Sequence, residues 1–165
     1  MLKFIRYKTL KKWNISNGTN LKSMFYGCKS LTSLIPLQDW EVYKNNNFSY
    51  MFSGCKLLKD LKGLEYWNVS NGKNFDNMFS ECNLLSNIEA LKDWNVSKSK
   101  TFYRMFASCS SLTDIKYIIN WKISSSSNVK SMFYNCCKSL DIKSLIINWN
   151  LNLDKFNQTN ETPFI

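Results

Sequence analysis

The chain has 165 residues, 22 lysines and arginines against 12 aspartates and glutamates, a net charge of +10, and no histidine. The missing imidazole excludes a Ser-His-Asp or Cys-His catalytic arrangement, a histidine-ligated metal and a charge switch near neutral pH. With 44% hydrophobic and 15% aromatic residues, the chain is too apolar for a disordered polycation, and its length suits one domain with a real core.

The first twelve residues, MLKFIRYKTLKK, are basic but lack the apolar run of a signal peptide. No later stretch approaches the roughly 18 consecutive apolar residues of a membrane span. The expectation is therefore no export signal and an intracellular location. Phe4, Tyr7 and Leu10 stand nine, six and three residues before Trp13, so residues 1–12 read as the strand half of a repeat unit. Lys3, Arg6, Lys8, Lys11 and Lys12 give this arm half of the net charge, while the other cations are scattered among acids along the sequence. Such an arm is a candidate site for nucleic acid or an anionic surface.

From Trp13 onward the sequence repeats. Tryptophans fall at 13, 40, 67, 94, 121 and 149, four steps of 27 and one of 28. Met24-Phe25, Met51-Phe52, Met78-Phe79, Met105-Phe106 and Met132-Phe133 keep the same step, and each pair is followed by a cysteine at 28, 55, 82, 109 or 136. A period of this size marks a solenoid whose units bury their apolar faces against one another. Five units span 13–149, and residues 150–165 read as a C-terminal tail.

Within a unit, counted from its tryptophan, apolar residues occupy +2 and +8, and +7 is always Asn or Thr (Asn20, Asn47, Asn74, Thr101, Asn128). That series reads as a helix N-cap, with +8, +11, +12 and +15 forming the apolar face of a helix of about two turns. Gly27, Gly54 and Asn135 suit its left-handed end. Beyond the cysteine, apolar residues come every third position, as in Leu31, Leu34 and Leu37 or Leu58, Leu61 and Leu64. This predicts an arc with a short parallel strand, stacked on its neighbours at roughly 4.8 Å. The fold class expected is an α/β repeat solenoid, leucine-rich-repeat-like, with one short strand and one short helix in each of five 27-residue units. In the last unit Cys136-Cys137 and the shifted Leu140-Asp141-Ile142 reveal one extra residue.

The segment Trp13-Asn-Ile-Ser-Asn-Gly-Thr-Asn-Leu-Lys-Ser-Met-Phe-Tyr-Gly-Cys28-Lys-Ser-Leu-Thr-Ser-Leu34 closely resembles the BspA-like leucine-rich repeat, also described as DUF285. The resemblance covers about 13 to 149, with departures at Glu41, Glu81, Ser108 and Lys122 and near Cys137. It implies a leucine-rich-repeat solenoid, a role in adhesion or partner recognition, a cell or particle surface as the alternative location, and no catalytic residue to transfer.

No residue pattern calls for a cofactor or a metal; the cysteines lack C-x-x-C spacing and sit where a small hydrophobe packs. Cys137 is the exception, since one of two adjacent residues must point away from the core, and it is the candidate reactive thiol. The tryptophans, recurring in every unit, are assigned to the core. Recognition falls to the positions between the inward leucines, which vary from unit to unit: Lys59, Asp60, Lys62, Asn87, Glu89, Asp114, Lys116 and Tyr117. The expected function is a non-enzymatic module with a protein partner bound through this strand-side face. The alternatives are nucleic acid or an anionic surface held by residues 1–12, and end-to-end self-association.

Overall fold

The computed structural model describes residues 10–156. The expectations placed on Phe4, Tyr7, Lys3, Arg6 and Lys8, and on the tail beyond residue 156, lie outside those residues. The units stack in register, and the bonds that join them are concentrated in one segment, +8 to +14. Leu21, Ser23, Phe25 and Gly27 donate their backbone N–H groups to the carbonyls of Asn47, Ser49, Met51 and Ser53, at 2.7–2.9 Å. The same four positions repeat the pattern at each of the next three junctions, for example Phe79 to Met105 at 2.9 Å and Phe106 to Met132 at 2.9 Å. The intervening N–H groups close turns inside the unit, as Met24 to Leu21 and Cys28 to Phe25 do. Nearly every backbone donor of the segment is thereby satisfied, half of them by the next unit.

This pattern replaces the expected helix. Position +10 has a positive φ in every unit (Ser23, Tyr50, Asn77, Arg104 and Ser131, 53° to 58°), and so does +14 (Gly27, Gly54, Glu81, Ser108 and Asn135, 55° to 75°). A left-handed residue every fourth position turns the chain back on itself and prevents an α-helix, although the apolar spacing of 3 and 4 is the same as that of a helix face. The asparagine at +7 does accept a backbone N–H, but from the residue two further on, Lys22 to Asn20 at 2.9 Å and Asp76 to Asn74 at 2.9 Å. It opens a turn, and no helix follows.

The expected strand is also reduced. Parallel pairing survives as isolated bridges, four of them in the +7 column from Asn20 to Asn128, and one in the arc, Asp60 with Asn87. In place of a strand, the arc carries three-residue 3-10 turns at Ile35–Leu37, Glu89–Leu91 and Lys116–Ile118. These turns account for the spacing of three. Leu31 donates to Cys28, Leu37 to Leu34 and Trp40 to Leu37, so three of these steps are closed by a bond between residues three apart. In the fifth unit, where the extra residue falls, the arc becomes helix α1 (Ile142–Asn148), capped by Asp141, whose carboxylate accepts from the Ser144 N–H at 3.0 Å.

The core is a set of ladders running the length of the stack. Phe25, Phe52, Phe79, Phe106 and Phe133 stack at 5.4 to 5.7 Å with rings within 12° of parallel. Phe48, Phe75 and Phe102 form a second column at 5.1 and 5.6 Å. Trp40, Trp67, Trp94, Trp121 and Trp149 are buried, and each indole N–H donates to a carbonyl of the preceding unit's arc, from Trp40 to Leu10 at 3.0 Å through Trp149 to Ile118 at 3.3 Å. Each tryptophan therefore fills its own unit and fastens it to the one before. Trp13, the first of the series, is 43% exposed. At the other end of the described chain Phe156 is buried and stacks on Trp149 at 6.1 Å.

A candidate recognition face on the arc

The arc columns +19, +20, +22 and +25 point outward between buried leucines and isoleucines. Their local geometry comes from the +20 residue. Asp60, Asn87 and Asp114 each accept the N–H of the residue two further on (Lys62, Glu89 and Lys116, at 3.0, 2.8 and 2.9 Å), and Ser33 does the same for Ile35 at 3.3 Å. These side chains thus open the turns that shape the face, in addition to lining it. Lys59 is exposed, and its carbonyl receives the N–H groups of Ser86 and Asn87, which joins the second arc to the third.

Asp60, Lys62, Asn87 and Glu89 come together, with Glu65 and Lys92, around a groove of about 200 Å³ between the second and third units. Asp114 and Lys116 lie in a second groove of about 180 Å³, with Ser139, Asp141 and Ser144. Lys116 forms an ion pair with Asp114 at 2.7 Å and lies 5.1 Å from the centre of the Tyr117 ring, so these three residues act as one surface cluster. The hydrogen bond from Lys116 holds the Asp114 carboxyl below the usual carboxylate range. The sequence had not singled out Glu65 and Lys92. Their signal was their place at +25, one residue beyond the last inward leucine, where the turn brings them back beside +20 and +22.

Of the basic arm, Lys11 and Lys12 are described; both are exposed, and Lys11 pairs with Asp39 at 3.2 Å. No helix among the described residues is long and apolar enough to cross a membrane, and no group of three His, Cys, Asp or Glu side chains among them is placed to hold a metal.

The cysteines form their own ladder. The thiols of Cys55, Cys82, Cys109 and Cys136 each donate to the carbonyl of the preceding unit's phenylalanine, at 3.0 to 3.3 Å. Burial raises their pKa values, those of Cys82 and Cys136 to about 12. Cys137, partly exposed, is shifted the other way by its hydrogen bond to Ser139. A thiol reagent at neutral pH is therefore expected to modify Cys137 first, and all six cysteines only in denaturant. The buried ladder also sets a pH limit. The unfolded chain releases thiol protons near the ordinary value of 9.0, whereas the folded one retains them to about 12. Stability is thus complete below about pH 9 and declines as pH rises toward 12. Urea midpoints measured across that range should fall less steeply in a Cys82→Ala, Cys109→Ala variant.

A repeated chain whose units are fastened through tryptophan, Met-Phe and cysteine columns defines a repeat protein. The sequence matches the DUF285 family, described as "Mycoplasma protein of unknown function", over residues 3–89 and again over 59–161. The chain belongs to that family. No curated protein matches it. Among solved structures, a leucine-rich repeat protein from Bacteroides ovatus ATCC 8483 aligns with 18% identity over 72% of this chain and 41% of the other, at a TM-score of 0.27. This chain thus spans less than half of that protein, and the alignment is too loose to guide the fold or site.

Proposed function

We propose that the protein is a non-enzymatic recognition module that binds a protein partner through its arc face. The observation that carries this reading is the division of labour within the unit. The inward columns repeat the same residues and hold the stack, while +19, +20, +22 and +25 change from unit to unit and line two grooves. Variable polar side chains on a rigid repeated frame are the arrangement by which repeat proteins build extended binding surfaces. The face is mixed in charge: columns +19 to +26 hold five lysines and seven carboxylates over the five units. A partner with patches of both signs suits it.

Charge reversal at Lys59, Asp60 and Lys116 is expected to abolish capture of the partner in a pulldown that the unaltered protein supports. A partner retained unchanged by the triple variant would refute the reading. A second arrangement, end-to-end self-association, draws support from the N-terminal edge of the stack. There Trp13 is 43% exposed, and the carbonyls of Asn20, Lys22, Met24 and Tyr26 accept no backbone hydrogen bond among the described residues. Such an open row pairs readily with another chain. Light scattering over a concentration series separates the two: a rising mass supports assembly, and a constant monomer removes it.

A further inference from the structure

The stack sorts charges that are scattered along the sequence. Positions +3 to +9 carry seven lysines among the described residues (22, 44, 73, 98, 100, 130 and 155) against two carboxylates, Asp76 and Asp154. Asp76 is half-buried and already accepts from the Thr101 hydroxyl and the Tyr103 N–H. The arc, by contrast, has more carboxylates than lysines. One edge of the stack therefore holds seven of the 17 lysines and arginines outside the N-terminal arm, with only two carboxylates among them.

That edge is ordered. In the +4 column, the Lys44 ammonium donates to the Asn17 side chain at 2.9 Å, and that of Lys98 to Asn71 at 3.1 Å. The Lys155 ammonium, at +6 from Trp149, donates to the Ser125 carbonyl. The three ammonium groups thus recur at every second unit, each held by the unit before it. Lys73 and Lys100 extend from the adjoining +6 column, one unit apart, where the aromatic ladders set the step at 5.1 to 5.7 Å. Tyrosines flank the lysines on both sides. Tyr43 is 41% exposed with the Lys44 ammonium 5.6 Å from its ring centre. Tyr103 lies beside Arg104, whose guanidinium is 5.5 Å from its ring and 5.0 Å from that of Tyr134.

We propose that this lysine edge binds single-stranded nucleic acid, its ammonium groups following the phosphates and its tyrosines receiving bases. A line of cations beside aromatic faces is how sequence-tolerant single-strand binding is built. A membrane surface is a poorer fit, because of the exposed leucines and isoleucines Ile35, Leu57, Leu84, Ile147 and Leu153 only Leu153 lies in these columns. The site is separate from the arc face, and either can fail without the other.

The test is fluorescence anisotropy of a labelled oligothymidylate titrated with the full chain at several salt concentrations. Binding should weaken steeply with salt. A Lys73→Glu, Lys100→Glu variant should bind at least about tenfold more weakly and reduce the slope of log K against log salt by about 1.4, at roughly 0.7 per single-strand phosphate contact. Tyr43→Ala should weaken binding without changing that slope, and Lys62→Glu, on the arc, should leave it unaltered. Absence of binding at low salt would overturn the proposal, as would equal weakening by Lys62→Glu or dependence on residues 1–12 alone. If heparin binds with the same slope and Tyr43→Ala has no effect on the oligothymidylate, the edge is a sulfated-polysaccharide site and the nucleic-acid assignment is wrong.

Discussion

Phe79→Ala is expected to destabilise the protein by about 3–5 kcal/mol, the usual range for emptying a fully buried phenylalanine site. Phe79 is 0% exposed and sits between Phe52 at 5.7 Å and Phe106 at 5.6 Å, so the truncation removes two stacking contacts and opens a cavity in the middle of the column. The backbone of its unit is fastened on both sides by inter-unit hydrogen bonds, Phe52 to Met78 and Phe79 to Met105, and cannot collapse into the space. Net stabilities of domains are of order 5–15 kcal/mol, which makes the loss a large share of the total. Phe25→Ala should cost less, because among the described residues Phe25 has a ladder neighbour on one side only. Urea denaturation of the two variants checks the order; equal midpoints would mean that the column contributes nothing beyond local packing.

The second large effect is expected from Gly63→Ala. Gly63 has φ +104°, and a β-carbon there would lie 2.4 Å from the Leu34 carbonyl oxygen and 2.6 Å from its carbon. Both the strained dihedral and the collision with the backbone of the neighbouring arc have to be absorbed, at about 3 kcal/mol or more. Gly27 provides the control. Its φ is +67°, but an added β-carbon would meet nothing within 4 Å, so Gly27→Ala should cost only the left-handed penalty of about 1–2 kcal/mol. If the two variants melt together, the close approach of the first and second arcs is not present in solution.

The sequence made the columns legible and left the backbone between them ambiguous. The tryptophan, Met-Phe, cysteine and leucine registers come out as buried ladders from the second unit to the fourth, because a residue repeated at a fixed step must occupy the same place in each unit; in the first unit Trp13 is exposed and Met24 and Cys28 are partly buried. The helix over +8 to +15 was a misreading with a physical cause. Spacings of 3 and 4 also arise when the chain reverses at +10 and +14, and six of the ten residues there carry no sequence mark of a left-handed turn: Ser23, Tyr50, Glu81, Arg104, Ser108 and Ser131 are neither Gly nor Asn. The inter-unit hydrogen bonds that hold them positive are long-range and invisible in any local window. Charge was misjudged in the same way. Lys44, Lys98 and Lys155 lie far apart along the chain, and share one edge only when the units are stacked. The candidate arc residues were found by their variation, but their second role as turn formers was not, because an Asx turn and a binding side chain use the same residue types.

In the proposed function, inward columns hold the stack and outward arc residues recognise the partner. The measurement that tests it most directly is thermal melting and partner capture, side by side, on a Lys59→Glu, Lys62→Glu, Glu89→Lys variant. These three side chains are exposed, and none of them opens a turn. A melting temperature close to that of the unaltered protein, together with loss of capture, is the expected result. A depressed melting temperature with capture intact would contradict it, and would place these residues in the scaffold.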